Sequence, residues 1–194
     1  MSAIQLIVEG DGDEHAMPVL VRRILHDHGH YHIQLPKPHK RGELHKVKSR
    51  FRDYLETAIL EGHPVLCVLD FDCETCVDVL AEERALVDQA LLLRPDHPFA
   101  ACFLVKEYES LFLTDTDCIR HHFPQIKKDH VFPSAPETVR DAKGEISRAL
   151  PTGYAYKPTV HQAKLSAAIN LTLLRQHSPS FHRLEQAVLQ LAQS

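Results

Sequence analysis

Val65-Leu66-Cys67-Val68-Leu69-Asp70-Phe71-Asp72 is an unbroken apolar run that ends in two acids. Gly62-His63-Pro64 separates it from what precedes. A segment apolar at every position, rather than every second one, is a strand buried on both faces, as in parallel sheets. Upstream, Ala3 to Val8 is a shorter strand-like run that ends in Glu9-Gly10-Asp11-Gly12, where the glycines supply a turn. From Asp13 to His28, Met17, Leu20, Val21, Ile24 and Leu25 recur at helical spacing, with Pro18 early enough to be tolerated and Gly29 as the stop.

Tyr31 to Leu35 reads as a second strand, followed by the basic loop Pro36-Lys37-Pro38-His39-Lys40-Arg41-Gly42. Val47 to Leu60 reads as a helix with Phe51, Leu55, Ala58 and Ile59 inward, and Val77 to Leu93 as another. Phe99 to Val105 is a further strand, ending at Lys106-Glu107-Tyr108-Glu109, and a helix starts over Ser110 to Leu113. Strands alternating with helices predict an α/β fold: right-handed βαβ units around a mostly parallel sheet of about four strands. After Asp115, prolines divide the chain into three expected helices, Val139 to Leu150, Val160 to Leu174 and Phe181 to Ala192. The expected organisation is an α/β domain over 1–115 with a helical extension, 116–194, packed on it.

The 194 residues are 44% hydrophobic and 25% charged, which suits one domain of ordinary size with a modest appendage. A net charge of -4 excludes a basic coat for nucleic acid and predicts weak binding to it by this chain alone. No apolar stretch is long enough for a bilayer, and Met1-Ser2-Ala3-Ile4-Gln5 lacks a signal-peptide pattern, so a cytoplasmic protein without a membrane partner is expected. Five cysteines, an odd number, do not suggest a disulfide framework. Cys73-x-x-Cys76 lacks the second pair a zinc knuckle needs and reads as a helix-start turn. His26, His28, His30 and His32 alternate around Gly29 and read as solvated helix-end and turn residues.

Ligands of parallel sheets bind beyond the carboxyl ends of the strands. Three predicted strand ends carry acids there: Glu9, then Asp70 and Asp72, then Glu107 and Glu109. Alternate side chains of a strand point the same way, so Asp70 and Asp72 repel unless a cation lies between them. Hard oxygen donors favour magnesium, manganese or calcium over softer metals, and Asp13 can join from the first turn of the following helix. Lys37, Lys40 and Arg41 follow the second strand near the same sheet edge and are candidates for gripping phosphate, as are Lys143 and Lys157. A nucleotide loop is rejected, because Glu9-Gly10-Asp11-Gly12 has neither Gly-x-Gly-x-x-Gly spacing nor a Gly-Lys-Ser/Thr ending. A phosphatase of the haloacid-dehalogenase kind places its Asp-x-Asp after the first core strand, not the third, and leaves Glu9 without a role.

Val8-Glu9-Gly10-Asp11-Gly12-Asp13-Glu14 resembles the Val-Glu-Gly-x-Thr-Glu opening of Toprim-like proteins, and Val68-Leu69-Asp70-Phe71-Asp72-Cys73 resembles their Asp-x-Asp strand. Glu107-Tyr108-Glu109-Ser110-Leu111-Phe112-Leu113-Thr114-Asp115 is similar to the Glu-x-Glu-x-Trp-x-Leu-x-Asp segment of the DUF4276 family, with Leu111 at the tryptophan position. Asp141-Ala142-Lys143, Tyr156-Lys157 and Ser178-Pro179-Ser180-Phe181 fit the same pattern, so the resemblance covers nearly the whole chain. It implies a Toprim-like fold related to OLD-type nucleases and a magnesium-dependent cleavage of phosphodiesters. Glu9 would be general acid/base or metal ligand, and Asp70 and Asp72 would hold metal. Asp13 stands where the OLD-type pattern has its second acid. The resemblance also suggests an ATPase partner in a defence-like system. The competing expectation is a module without catalysis that binds, or senses, such an ATPase.

Overall fold

The computed structural model describes residues 2–72 and 78–194. Four strands, β1 (Gln5–Val8), β2 (His39–Lys40), β3 (Val65–Phe71) and β4 (Phe99–Val105), form one sheet in the order β2-β1-β3-β4, and each pairing is parallel. This is the α/β class that the run at Val65 predicts. Both faces of the sheet are covered. Leu6, Val8, Leu66, Val68, Cys102 and Leu104 face α1 (Asp11–Asp27) in one core cluster. Ile7, Val65, Cys67, Leu69 and Phe103 face the other way, with Val47 of α2 (Leu44–Ser49), Phe51 and Leu55 of α3 (Phe51–Ala58) and Leu86 of α4 (Val79–Leu93). Because every β3 residue from Val65 to Leu69 is buried, the strand has no polar face to show.

The chain leaves β1 toward β2 by one face and reaches β3 and β4 by the other. The order therefore reverses between β1 and β3, and at such a switch point the connecting loops part and leave a crevice outside the strand ends. The acids at the ends of β1 and β3 flank it.

Several expected boundaries move. Tyr31 to Leu35 is no strand. Only Gln34 makes an isolated bridge, to Ala3, and the pairing with β1 is made by His39 and Lys40, inside the expected basic loop. The helix expected over Val47 to Leu60 is two, because Arg50 leaves the helical region (φ -123°, ψ 23°). The helix expected from Val77 is described from Val79, with the Asp78 carboxylate capping Leu80 N at 3.0 Å. Cys73 and Cys76 lie outside the described residues.

Beyond β4 come α5 (Ser110–Thr114) and α6 (Thr116–His122), of which α6 was not expected. A single 3₁₀ turn, Pro136–Thr138, precedes α7 (Ala142–Ala149). The helix expected over Val160 to Leu174 divides into α8 (Pro158–Ala168) and α9 (Leu171–His177), because the Asn170 side chain caps Leu173 N and starts a new helix. The last helix is α10 (Pro179–Ala192), packed against β4 and α1. It also covers the outer margin of β4. Val105 N donates to Ser180 Oγ (3.1 Å), Phe103 O accepts from Arg183 (2.8 Å), and Phe103 N donates to Glu83 of α4 (2.7 Å). Among the described residues, no helix is long and apolar enough to cross a membrane.

α1 and α8 pack closely, and Gly12 permits it. A Cβ there would lie 1.9 Å from Gln162 Oε1 and 2.7 Å from Pro158 Cβ. Gly12→Ala is therefore expected to lower stability by about 1–3 kcal/mol through overpacking. Thermal unfolding measures this, and an unchanged Tm would remove the close approach as a requirement.

Candidate functional site

β1 ends at Val8, so Glu9 is the first residue past the sheet, and the Asp70 backbone N–H near its carboxylate favours the charged form. Asp70 is the sixth residue of β3. Its Oδ1 accepts from Tyr108 N at 2.9 Å, which ties the β3 end to the turn after β4. Asp13 stands in the first turn of α1, where Oδ2 accepts from Gly10 N (2.9 Å) and Oδ1 from Gln162 of α8 (2.7 Å).

Glu109 is fully buried; one oxygen accepts from the Tyr156 hydroxyl at 2.9 Å, and the other, Oε2, has no hydrogen-bond partner. Glu107 accepts from Lys143 N at 3.0 Å. The Lys143 ammonium sits among three of these carboxylates, 3.7 Å from Asp70 Oδ2, 3.8 Å from Glu107 Oε1 and 3.7 Å from Glu109 Oε2. These separations exceed a normal hydrogen bond, so the lysine acts here by charge.

The electrostatics report crowding. Burial and the charge of Asp13 raise Glu9 to a pKa of about 6, although the Asp70 N–H and Lys143 oppose the shift. Burial raises Glu109 to about 7 against the pull of Lys143 and Tyr156. Asp70 is held well above the usual carboxylate range by burial, then by Asp13, Glu109 and Glu9. Burial also raises Asp13. Burial works against the charge of Lys143, but Glu109, Asp70, Glu107 and Asp13 outweigh it and hold the ammonium above its ordinary pKa.

Six residues predicted from the sequence as metal-binding thus divide. Asp70, Glu107 and Glu109 surround Lys143, and Glu9 and Asp13 are close enough for their charges to act on Asp70. Asp72 is half exposed and pairs with Lys106 at 3.4 Å. Glu9, Asp70, Asp72, Glu107 and Lys143 line one cleft of about 840 Å³, whose other wall is Leu44, His45, Lys48 and Ser49 of α2.

Of the five predicted phosphate ligands, Lys143 lines this cleft. Lys37 pairs with Glu14 (3.1 Å), Lys40 pairs with Asp11, and the Arg41 guanidinium lies over the Tyr54 ring. Lys157 is exposed at the start of α8. The sequence reading missed Tyr108, Tyr156 and Gln162, which orient the acids, and Lys48 and Lys106, which face them. Tyr156 stood beside Lys157 in a segment already singled out, but no local pattern tells which of two neighbours turns inward. His28 pairs with Glu185 (3.2 Å) and His26 packs on Tyr31, as helix-end residues do.

The donors suit a hard divalent ion: all are carboxylate oxygens, and one buried oxygen lacks a partner. Among the described residues, no three His, Cys, Asp or Glu side chains close into a ready metal cage. The arrangement as it stands encloses an ammonium.

A family model described as a domain of unknown function, DUF4276, matches residues 8–189. None of the curated proteins compared matches the chain. Among solved structures, the C-terminal region of the Xanthomonas campestris pv. campestris OLD protein is similar at 14% identity and a TM-score of 0.48, over 99% of this chain and 94% of that one. The C-terminal region of the Burkholderia pseudomallei OLD protein is similar at 14% identity and a TM-score of 0.43, over 99% of each chain.

Proposed function

The chain belongs to the DUF4276 family, and from that premise we propose that it is a magnesium- or manganese-dependent phosphodiesterase acting on nucleic acid. The observation that carries this reading is the gathering of Asp70, Glu107 and Glu109 about the Lys143 ammonium at the strand ends, with Glu9 lining the same cleft and Asp13 beside it in the first turn of α1. Such crowding is costly unless positive charge is supplied. The resemblance of the Glu9 and Asp70-x-Asp72 segments to Toprim-like proteins supports it.

Glu9 and Asp70 would hold the ion, with Glu107 and Glu109 beside them and Asp72 at the cleft wall. Bound there, the ion supplies Lewis-acid polarisation of a phosphate oxygen. Glu9, at the cleft surface, is placed to take a proton from attacking water at its carboxylate. Asp13, by accepting from Gly10 N, fixes the backbone next to that carboxylate. Lys143 neutralises the acids and offers positive charge to a phosphate entering the cleft. An ATPase partner belongs to the same reading, as the source of the substrate affinity that a chain of net charge -4 lacks.

A second reading has its own observation. Lys143 already supplies a cation to the cluster, so the acids also suit a non-catalytic module that binds or senses an ATPase. Cleavage separates the two. With manganese, wild type is expected to degrade DNA or RNA, and Glu9→Gln to do so about 100-fold more slowly. Equal rates for the two proteins, or cleavage that survives chelation of the metal, would sink the phosphodiesterase reading.

A further inference from the structure

The cleft has two unlike walls. One carries the acids. The other carries Glu43, His45, Lys48 and Ser49 at α2, and Lys106 lines the cleft just past the end of β4. Lys48 is partly exposed and oriented by Glu82 of α4 at 2.6 Å. His45 is mostly exposed beside Glu43.

Lys106 has an unusual backbone. Its φ is 69°, the sole positive value among the described non-glycine residues. Glu107 N donates to Val105 O across it at 3.2 Å, closing a three-residue turn of the strained kind. A glycine would hold this turn without steric cost. A lysine there is held in place by its surroundings, and strain of this sort collects at functional clefts. The turn carries the ammonium to the cleft, 3.4 Å from Asp72.

We propose that Lys106, Lys48 and His45 form a phosphate-binding wall that seats a single-stranded nucleic acid with its backbone facing the acid cluster; this rests on the phosphodiesterase reading for the class of substrate. Positive side chains opposite the acids are what hold a polyanion in a cleft whose floor would repel it. No Phe, Tyr or Trp is among the described lining residues, so the contacts available are to phosphate, and phosphate contacts carry no sequence information. The cleft, at about 840 Å³, is the size of a small-ligand site and takes a few nucleotides. Duplex binders present broad, strongly positive surfaces, whereas the cations of this cleft are few and stand beside carboxylates.

The test is the fluorescence anisotropy of labelled hexathymidylate with full-length protein, calcium standing in for the catalytic ion. Lys106→Gln and Lys48→Gln are each expected to weaken binding about 10-fold. Each should also lower the slope of log affinity against log salt by about 0.7, one phosphate contact on a single strand. A hairpin with a stable G·C-rich stem is expected to bind at least about 10-fold more weakly than the single strand. Lys106→Gly separates contact from structure: binding should fall as for Lys106→Gln while Tm stays level or rises. Unaltered binding by the Lys106 and Lys48 variants overturns the proposal, as does a tighter-bound duplex. Wild type that cleaves with manganese while Lys106→Gln and Lys48→Gln bind normally refutes this wall alone. Lys106-dependent binding with no cleavage by any of the proteins refutes the phosphodiesterase reading and leaves the wall standing.

Discussion

Asp70→Asn is expected to remove divalent-ion binding and, at the same time, to stabilise the ion-free protein. Asparagine keeps the oxygen that accepts from Tyr108 N, so the link between the β3 end and the turn after β4 survives. What it removes is a negative charge that burial, Asp13, Glu109 and Glu9 all penalise. The expected gain at pH 8 is on the order of 1–2 kcal/mol, because a raised acid pKa is a cost paid by the folded state whenever the group is ionised.

The sign of the pH dependence follows. Glu9 titrates at about 6 and Glu109 at about 7 in the folded chain, both above the ordinary 4.5, so the unfolded chain loses these protons first. Stability from this cluster is full below about pH 4.5 and is lost as pH rises through about 6 to 7. The advantage of Asp70→Asn should accordingly be small at pH 5 and larger at pH 8. Manganese affinity, read by calorimetry, should drop at least about 100-fold with a carboxylate ligand gone. An asparagine variant that melts below wild type at pH 8, or that binds manganese equally well, would contradict the crowding described here.

Lys143→Met is expected to act in the opposite direction and to cost more. It leaves Asp70, Glu107 and the fully buried Glu109 without their shared cation. Removing one partner of a buried ionic group typically costs about 3–5 kcal/mol. Lysine is charged in folded and unfolded chains alike from pH 5 to 8, so the pH dependence of the loss comes from the carboxylates. Near pH 5 they take up protons and the variant should approach wild type; at pH 8 the loss should be largest. Manganese should restore much of it by mass action, since an ion that binds the folded state alone stabilises that state. Melting curves at the two pH values, with and without manganese, measure all three effects. A loss that is equal at both pH values would mean that methionine fails by packing and that the ammonium matters little.

Much of this arrangement was legible before any coordinates. The apolar run at Val65, the breakers before it and the acids after it placed Asp70 at a strand end. The same logic placed Glu9, Glu107 and Glu109. What stayed hidden depends on contacts between distant segments. β2 is two residues long, and its partner, β1, lies more than thirty positions earlier, so Tyr31 to Leu35 carried the better local pattern. Arg50 interrupts a helix whose apolar spacing, Val47, Phe51, Leu55 and Ala58, runs on undisturbed. Lys143 enters the cluster from the first turn of α7 and was read as a phosphate ligand. Nothing in its neighbourhood shows that three carboxylates from another part of the chain surround it. Lys37 and Lys40 carry the right charge near the right sheet edge, yet they pair with Glu14 and Asp11 on α1 and do not line the cleft.

Ser180, Arg183 and Glu83 occupy the main-chain groups of Phe103 and Val105 that would otherwise point outward from the last strand. A foreign segment arriving at that border finds the docking points of its last three residues taken, and the opposite border is only two residues long. Growth by strand addition is therefore obstructed at the carboxyl end of β4, the end nearest the acids, and is left only short footholds elsewhere.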